Sequence, residues 1–169
     1  MAGSRGIAAS SGTAKRIEVD RFEEFLDRAV DEVFSTMVGV PCAPTEEAED
    51  GDRGTISAVI GLAGRMSGSL VLHASSAAAL RIAGRMTGIE PTELDAMVRD
   101  AMGEMCNMIA GAWKGRDPIL ASGCLLSTPT VVAGTSYELF SQRAPVRIVR
   151  RYRFEELIFT ISVVCEFPG

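Results

Sequence analysis

Residues 91–114 read PTELDAMVRDAMGEMCNMIAGAWK. Leu94, Met97, Val98, Ala101, Met102, Met105, Met108, Ile109, Ala112 and Trp113 recur at helical spacing and wrap most of a circumference. This predicts a helix opened by Pro91 and Thr92, running to about Trp113 and buried on more than one side. One narrow stripe stays polar. Asp100, Glu104, Asn107, Gly111 and Lys114 follow one another in steps of four, three, four and three, so they stand one above another along a single helix edge. A helix buried this widely needs apolar partners, and the flanking segments supply them.

Upstream, Phe22, Phe25, Leu26, Ala29, Val30, Val33, Phe34 and Met37 have the same periodicity behind a capping signal of Asp20 with Glu23 and Glu24, predicting a helix that ends near Gly39. Residues 42–54 form an acidic loop with Glu46, Glu47, Glu49, Asp50 and Asp52. Thr55 to Leu62 and Ser67 to His73 read as a β-hairpin, and Ser75 and Ser76 cap a short helix from Ala77 to Met86. Downstream, a strand is expected from Ser122 to Ser127, then a turn-rich segment through Pro129 and Gly134. Val146 to Tyr152 and Leu157 to Phe167 should pair as a second hairpin. Runs of adjacent strands between helices favour an α+β fold, a largely antiparallel sheet covered by helices. The stretch 31–39 also echoes 103–111, placing Glu32 over Glu104 and Ser35 over Asn107, which fits a pseudo-repeated helix-strand-strand unit.

The chain has 169 residues, of which 47% are hydrophobic and 23% charged, the balance of one ordinary globular domain. Eleven of the first 16 residues are Ala, Gly, Ser or Thr, so residues 1–17 are expected as a disordered tail ahead of a single domain over 18–169. A net charge of −5 argues against nucleic acid as partner. The longest apolar run, Leu157 to Cys165, is too short to span a bilayer, and the N-terminus has no apolar core for a secretory signal. Cys42, Cys106, Cys124 and Cys165 are scattered without a C-x-x-C pair, and His73 is the only histidine. That pattern suits reduced thiols in a cytosol and predicts no metal site.

No phosphate-binding glycine loop, nucleophile elbow or HExxH helix is present, so self-contained acid–base or nucleophilic machinery is not expected. Glu104 and Asn107 are different in kind. A carboxamide does not titrate near neutral pH but donates and accepts hydrogen bonds, so Asn107 could hold a water in line with a phosphoryl group. Glu104, one turn earlier, could bind a cationic side chain of a partner. Spacing alone is equally met by a solvated polar edge. Similarly, Arg143, Arg147, Arg150, Arg151 and Arg153 read as a solvated strand face, and the methionines of the long helix as core filling instead of a small-molecule site.

The segment from Asp95 to Gly111 resembles the signature helix of the CheC/CheX/FliY phosphatases of bacterial chemotaxis, with the pattern D/S-x-x-x-E-x-x-N and a later proline. Asp100, Glu104 and Asn107 match it position by position, and Pro129 follows after 21 intervening residues, within a residue of the usual gap. The resemblance spans roughly residues 20–167, and a single copy of the motif is closest to the CheX branch. It implies a CheC-like fold and a cytoplasmic phosphatase acting in trans on the aspartyl phosphate of a CheY-like response regulator. In that family the glutamate pairs with a lysine of the regulator and the asparagine orients the attacking water. These are the roles implied for Glu104 and Asn107, with Asp100 and Pro129 in support. The regulator would supply Mg²⁺, and no cofactor is expected on this chain. The resemblance also implies a homodimer, with the two C-terminal strands meeting across its axis. The alternative is a non-catalytic adaptor binding a response regulator or flagellar switch protein.

Overall fold

The structure, a computed structural model, describes residues 8–48, 55–135, 137–139 and 144–167. Helix α1 (Ala8–Met37) is followed by β1 (Ala43–Thr45), the hairpin β2 (Thr55–Gly64) and β3 (Ser67–Ser75), and helix α2 (Ser76–Thr87). Helix α3 (Ala96–Arg116) leads into the short α4 (Pro118–Gly123), then β4 (Cys124–Leu126), β5 (Thr130–Gly134), β6 (Val146–Phe154) and β7 (Leu157–Glu166). All seven strands form one antiparallel sheet in the order β1-β6-β7-β3-β2-β4, with β5 also pairing β2. The expected α+β arrangement, an antiparallel sheet covered by helices, is present.

The sheet alternates as its pleat demands. Ile56, Ala58, Ile60, Leu70, Leu72, Ile161 and Val163 are buried in the core with the apolar faces of the helices. Phe34 of α1 stacks on Phe159 of β7 at 4.8 Å between centroids. At the sheet edge, Asp27 of α1 accepts hydrogen bonds from Arg150 Nε at 3.1 Å and from the Tyr152 hydroxyl at 2.8 Å. This ties α1 to β6, and Arg150 is therefore no part of a solvated strand face. Arg153 likewise pairs with Glu47, while Arg143 lies outside the described residues.

Several boundaries differ from the sequence reading. Helix α1 starts at Ala8, not Asp20, so residues 8–17 of the expected tail continue the helix, and residues 1–7 lie outside the described residues. Extending an existing helix costs little once it is nucleated. Helix α3 opens at Asp95, whose side chain accepts from Val98 N at 3.0 Å, and not at Pro91. The strand expected from Ser122 is preceded by α4 because Asp117 caps Ile119 N at 2.8 Å and Leu120 N at 3.2 Å, with Pro118 in the first turn. The β-branched Thr130, Val131 and Val132 make a strand where a turn-rich segment was expected. The acidic loop contains β1, and its residues 49–54 lie outside the described residues. Finally, β7 lies between β6 and β3, so it offers no free edge to a second subunit, whereas β1 covers β6 only at Arg151, Tyr152 and Arg153.

The topology repeats. In each half a long helix precedes a short strand and a hairpin, and the short strand crosses to the other half: β1 pairs with β6, and β5 with β2. The two hairpins meet at β3 and β7.

Candidate functional site

Helix α3 packs against α1, α2 and β2. Trp113 Nε1 donates to the Phe22 carbonyl of α1 at 3.1 Å, with the two rings edge to face at 5.8 Å. Cys106 Sγ donates to the Ala58 carbonyl of β2 at 3.4 Å. Burial pushes the Cys106 thiol up to about 12, so it stays a neutral donor at physiological pH and is no nucleophile. Val98, Met102, Met105, Ile109 and Ala110 complete the buried faces.

The polar stripe is what remains outside. Asp100, Glu104 and Gly111 are exposed, and Asn107 and Lys114 half-buried. At a rise of about 1.5 Å per residue, Glu104 stands about 6 Å along the axis from Asp100 and Asn107 about 4.5 Å beyond it. Among the described residues, the side chains of Asp100, Glu104 and Asn107 make no hydrogen bond or ion pair. An acceptor carboxylate and a two-way carboxamide thus point outward, one turn apart, on a helix whose other faces are locked.

Pro129 is brought to this helix through Gly103. A Cβ placed on Gly103 would lie 3.3 Å from Val131 Cγ2 and 3.5 Å from Pro129 Cγ, so the bare glycine lets this segment rest against α3, and a large side chain there would push it away. Ser127 holds the approach: its Oγ accepts from Gly61 N at 2.8 Å and its own N donates to the Gly61 carbonyl at 2.9 Å. Gly103 and Ser127 are the supporting residues that sequence reasoning missed. A glycine inside an otherwise apolar helix, four residues before the asparagine, was the available signal.

The equivalent positions of α1 differ. Glu32 is paired with Arg116 at the end of α3, and Ser35 is exposed. His73 is half-buried beside Ser57 on the sheet face away from the helices. Among the described residues, no three His, Cys, Asp or Glu side chains come together as a metal site, and no helix is long and apolar enough to cross a membrane.

The family model described as chemotaxis phosphatase CheX matches residues 56–149, a span containing Asp100, Glu104, Asn107 and Pro129. The CheY-P phosphatase CheX of Thermotoga maritima is 36% identical over 84 residues, which are 49% of this chain and 54% of that protein, so the chain spans about half the length of this curated relative. The crystal structure of chemotaxis protein CheX from Vibrio vulnificus superposes with a TM-score of 0.74 at 25% identity, covering 86% of this chain and 96% of that one. CheX from Borrelia burgdorferi, solved as a complex with CheY, BeF3 and Mg²⁺, has the same fold at a TM-score of 0.70 and 19% identity, over 88% of this chain and 99% of that one. With more than half of its length matched by that family model, the chain belongs to the CheX chemotaxis phosphatase family.

Proposed function

We propose that the chain hydrolyses the aspartyl phosphate of a CheY-like response regulator, with Glu104 as the docking residue and Asn107 as the catalytic one. The observation that carries this reading is the pair itself: Glu104 exposed and Asn107 half-buried, two polar side chains at the motif's spacing, without partners among the described residues, on a helix fixed on its other faces. The regulator brings the acyl phosphate, the lysine that Glu104 engages, and Mg²⁺. Asn107 accepts from and donates to the attacking water, aligning its oxygen with phosphorus. The P–O bond to the aspartyl carboxylate breaks, the carboxylate is regenerated and orthophosphate leaves. Holding the water in line contributes through orientation, so the amide acts in the transition state more than in ground-state binding. Asp100 extends the acidic edge toward the partner, and Pro129 fixes the neighbouring segment against Gly103.

We place this activity in the cytoplasm, and we propose a homodimer formed at the part of β6 that β1 leaves uncovered, since an open strand edge is stabilised by pairing. The adaptor reading is separated by experiment. Phosphate release from a phosphorylated CheY-like regulator should be accelerated by the protein. Asn107→Ala should lose at least ~100-fold of that acceleration, the scale of one preorganised transition-state donor, while still binding the beryllofluoride-activated regulator. Glu104→Lys should abolish binding by setting like charges together. Acceleration by Asn107→Ala at the parent rate would refute the catalytic assignment, and binding without acceleration by the parent protein would make it an adaptor.

A further inference from the structure

On the sheet face turned away from the helices lies a concavity of about 360 Å³, within the about 300–1,000 Å³ range of small-molecule sites. Its floor is made by Ser57, Val59, Ser69, Val71, Thr160 and Ser162. These side chains are neighbours across the strands: Val59 pairs with Val71, Val71 with Ser162, and Ser57 with His73. A solvent-facing antiparallel sheet face ordinarily carries charged and long polar residues. This one carries small hydroxyls and valines, which leave a flat, half-apolar surface with hydrogen-bonding points.

The two ends of the concavity differ. At one end the Tyr137 hydroxyl donates to Ser57 Oγ at 2.9 Å, and Ser57 Oγ, fully buried, lies 2.8 Å from His73 Nδ1. This chain of polar groups is already ordered. At the other end stands Arg147, opposite Val164 in the register of β6 and β7. Arg147 is exposed and makes no ion pair or hydrogen bond among the described residues, unlike Arg150 and Arg153 on the same strand. Among the described residues no Asp or Glu lines the concavity, although the chain as a whole carries a net charge of −5. A ligand anion would meet one guanidinium inside the concavity, while Glu138, between Tyr137 and Leu139, and Glu166, two residues beyond Val164, are exposed and not among its lining residues.

We infer that this concavity binds a flat organic anion, a ring system bearing one carboxylate or phosphate, with the ring on the Val59–Val71 floor and the anionic group on Arg147. The site shares no residue with the edge of α3 and does not depend on the phosphatase reading. Titration of the labelled protein with 2-naphthoate and with 2-naphthyl phosphate, followed by amide chemical shifts, separates the carboxylate from the phosphate arm. Saturable shifts are expected at residues of β2, β3 and β7 that line the floor. The neutral 2-naphthamide should bind about tenfold more weakly, and Arg147→Gln should weaken the anions by about tenfold, the loss of roughly one charge-assisted contact. Because Arg147 is exposed and unpaired, the variant should keep the parent's thermal midpoint. The inference is overturned by the absence of saturable shifts with either anion, by equal binding of the amide, or by anion binding that ignores Arg147→Gln. It is equally overturned by a dimer in sedimentation that Leu139→Asp at the rim dissolves, since the face would then belong to a second copy.

Discussion

The contact between Gly103 and the Pro129–Val131 segment is the most direct place to test how the site is built. Replacing Gly103 by Ala gains about 1 kcal/mol of helix propensity, because glycine loses more backbone freedom than alanine on folding. The added Cβ would sit 3.3 Å from Val131 Cγ2 and 3.5 Å from Pro129 Cγ. The first distance is inside the ~3.5–4.0 Å optimum for carbon pairs, so Val131 must yield by a few tenths of an ångström. Val131 is only half-buried and can do so. The two effects nearly cancel, and Gly103→Ala should stay within about 1 kcal/mol of the parent. Gly103→Leu keeps most of the propensity gain but adds three carbons where Pro129 and Val131 already stand, an overpacking cost of ~1–3 kcal/mol. Leucine should therefore be less stable than alanine by that amount, or ~2–12 °C in thermal midpoint for a chain of this size. Urea and thermal melts of the two variants measure the difference. Equal stability of Gly103→Leu and Gly103→Ala would show that the Pro129 segment does not rest on α3, and the structural role assigned to Pro129 would fall with it.

Stability should fall at alkaline pH. Burial raises the thiols of Cys42, Cys106, Cys124 and Cys165, to about 12 for Cys106 and about 11 for Cys165, and burial with the Asp27 charge raises the Tyr152 phenol. The folded chain thus keeps protons that the unfolded chain gives up. The contribution is complete below the ordinary thiol value of ~8.5 and is lost as pH rises above it, at up to ~1.4 kcal/mol per pH unit for each proton. Unfolding free energies that stay flat from pH 8 to pH 10.5 would refute this. Glu32→Ala and Ser35→Ala should keep nearly full phosphatase rate, the former losing at most ~1 kcal/mol with its ion pair to Arg116, and a large rate loss in folded Ser35→Ala would reveal a second working site. Light scattering at micromolar concentration should give a dimer mass, and a β6 variant with Val149→Pro on the uncovered stretch should give a monomer; a parent monomer would refute the assembly.

What could be read from the sequence follows from which interactions are local. The two hairpins, α2 and the C-terminal end of α1 are set by alternation, by the Ser75 cap and by Gly39, all visible within a few residues. The differences arise where a partner far along the chain decides. Thr130 to Gly134 carry turn residues at both ends, and they become β5 because β2 offers an unpaired edge from Thr55 to Val59. Ala43–Thr45 becomes β1 for the corresponding reason on β6. A three-residue strand has no period of its own to display. In α4, by contrast, the cue was local and passed over: Asp117 before Pro118 is a capping residue followed by the residue best suited to a first turn.

The candidate site was legible as a stripe because α3 is buried almost all round, which makes a surviving polar edge conspicuous. Its meaning was not legible in that way, since a polar stripe of the same spacing could simply be solvated. The repeated topology supplies the physical contrast. On α1 the glutamate in the equivalent place already has a cation, Arg116, supplied by α3, and the neighbouring residue is a serine whose short hydroxyl reaches little beyond the helix surface. On α3 the glutamate and the longer carboxamide have no such partner among the described residues. A carboxylate engaged by a guanidinium offers less to an incoming ammonium than one held in water, so the half that satisfies its own edge is poorly suited to docking. The half that leaves its edge open is suited to it. The asymmetry between the halves thus lies less in the helix pattern they share than in where Arg116 falls, at the end of α3 and within reach of α1, and that is a relation the linear spacing of neither helix contains.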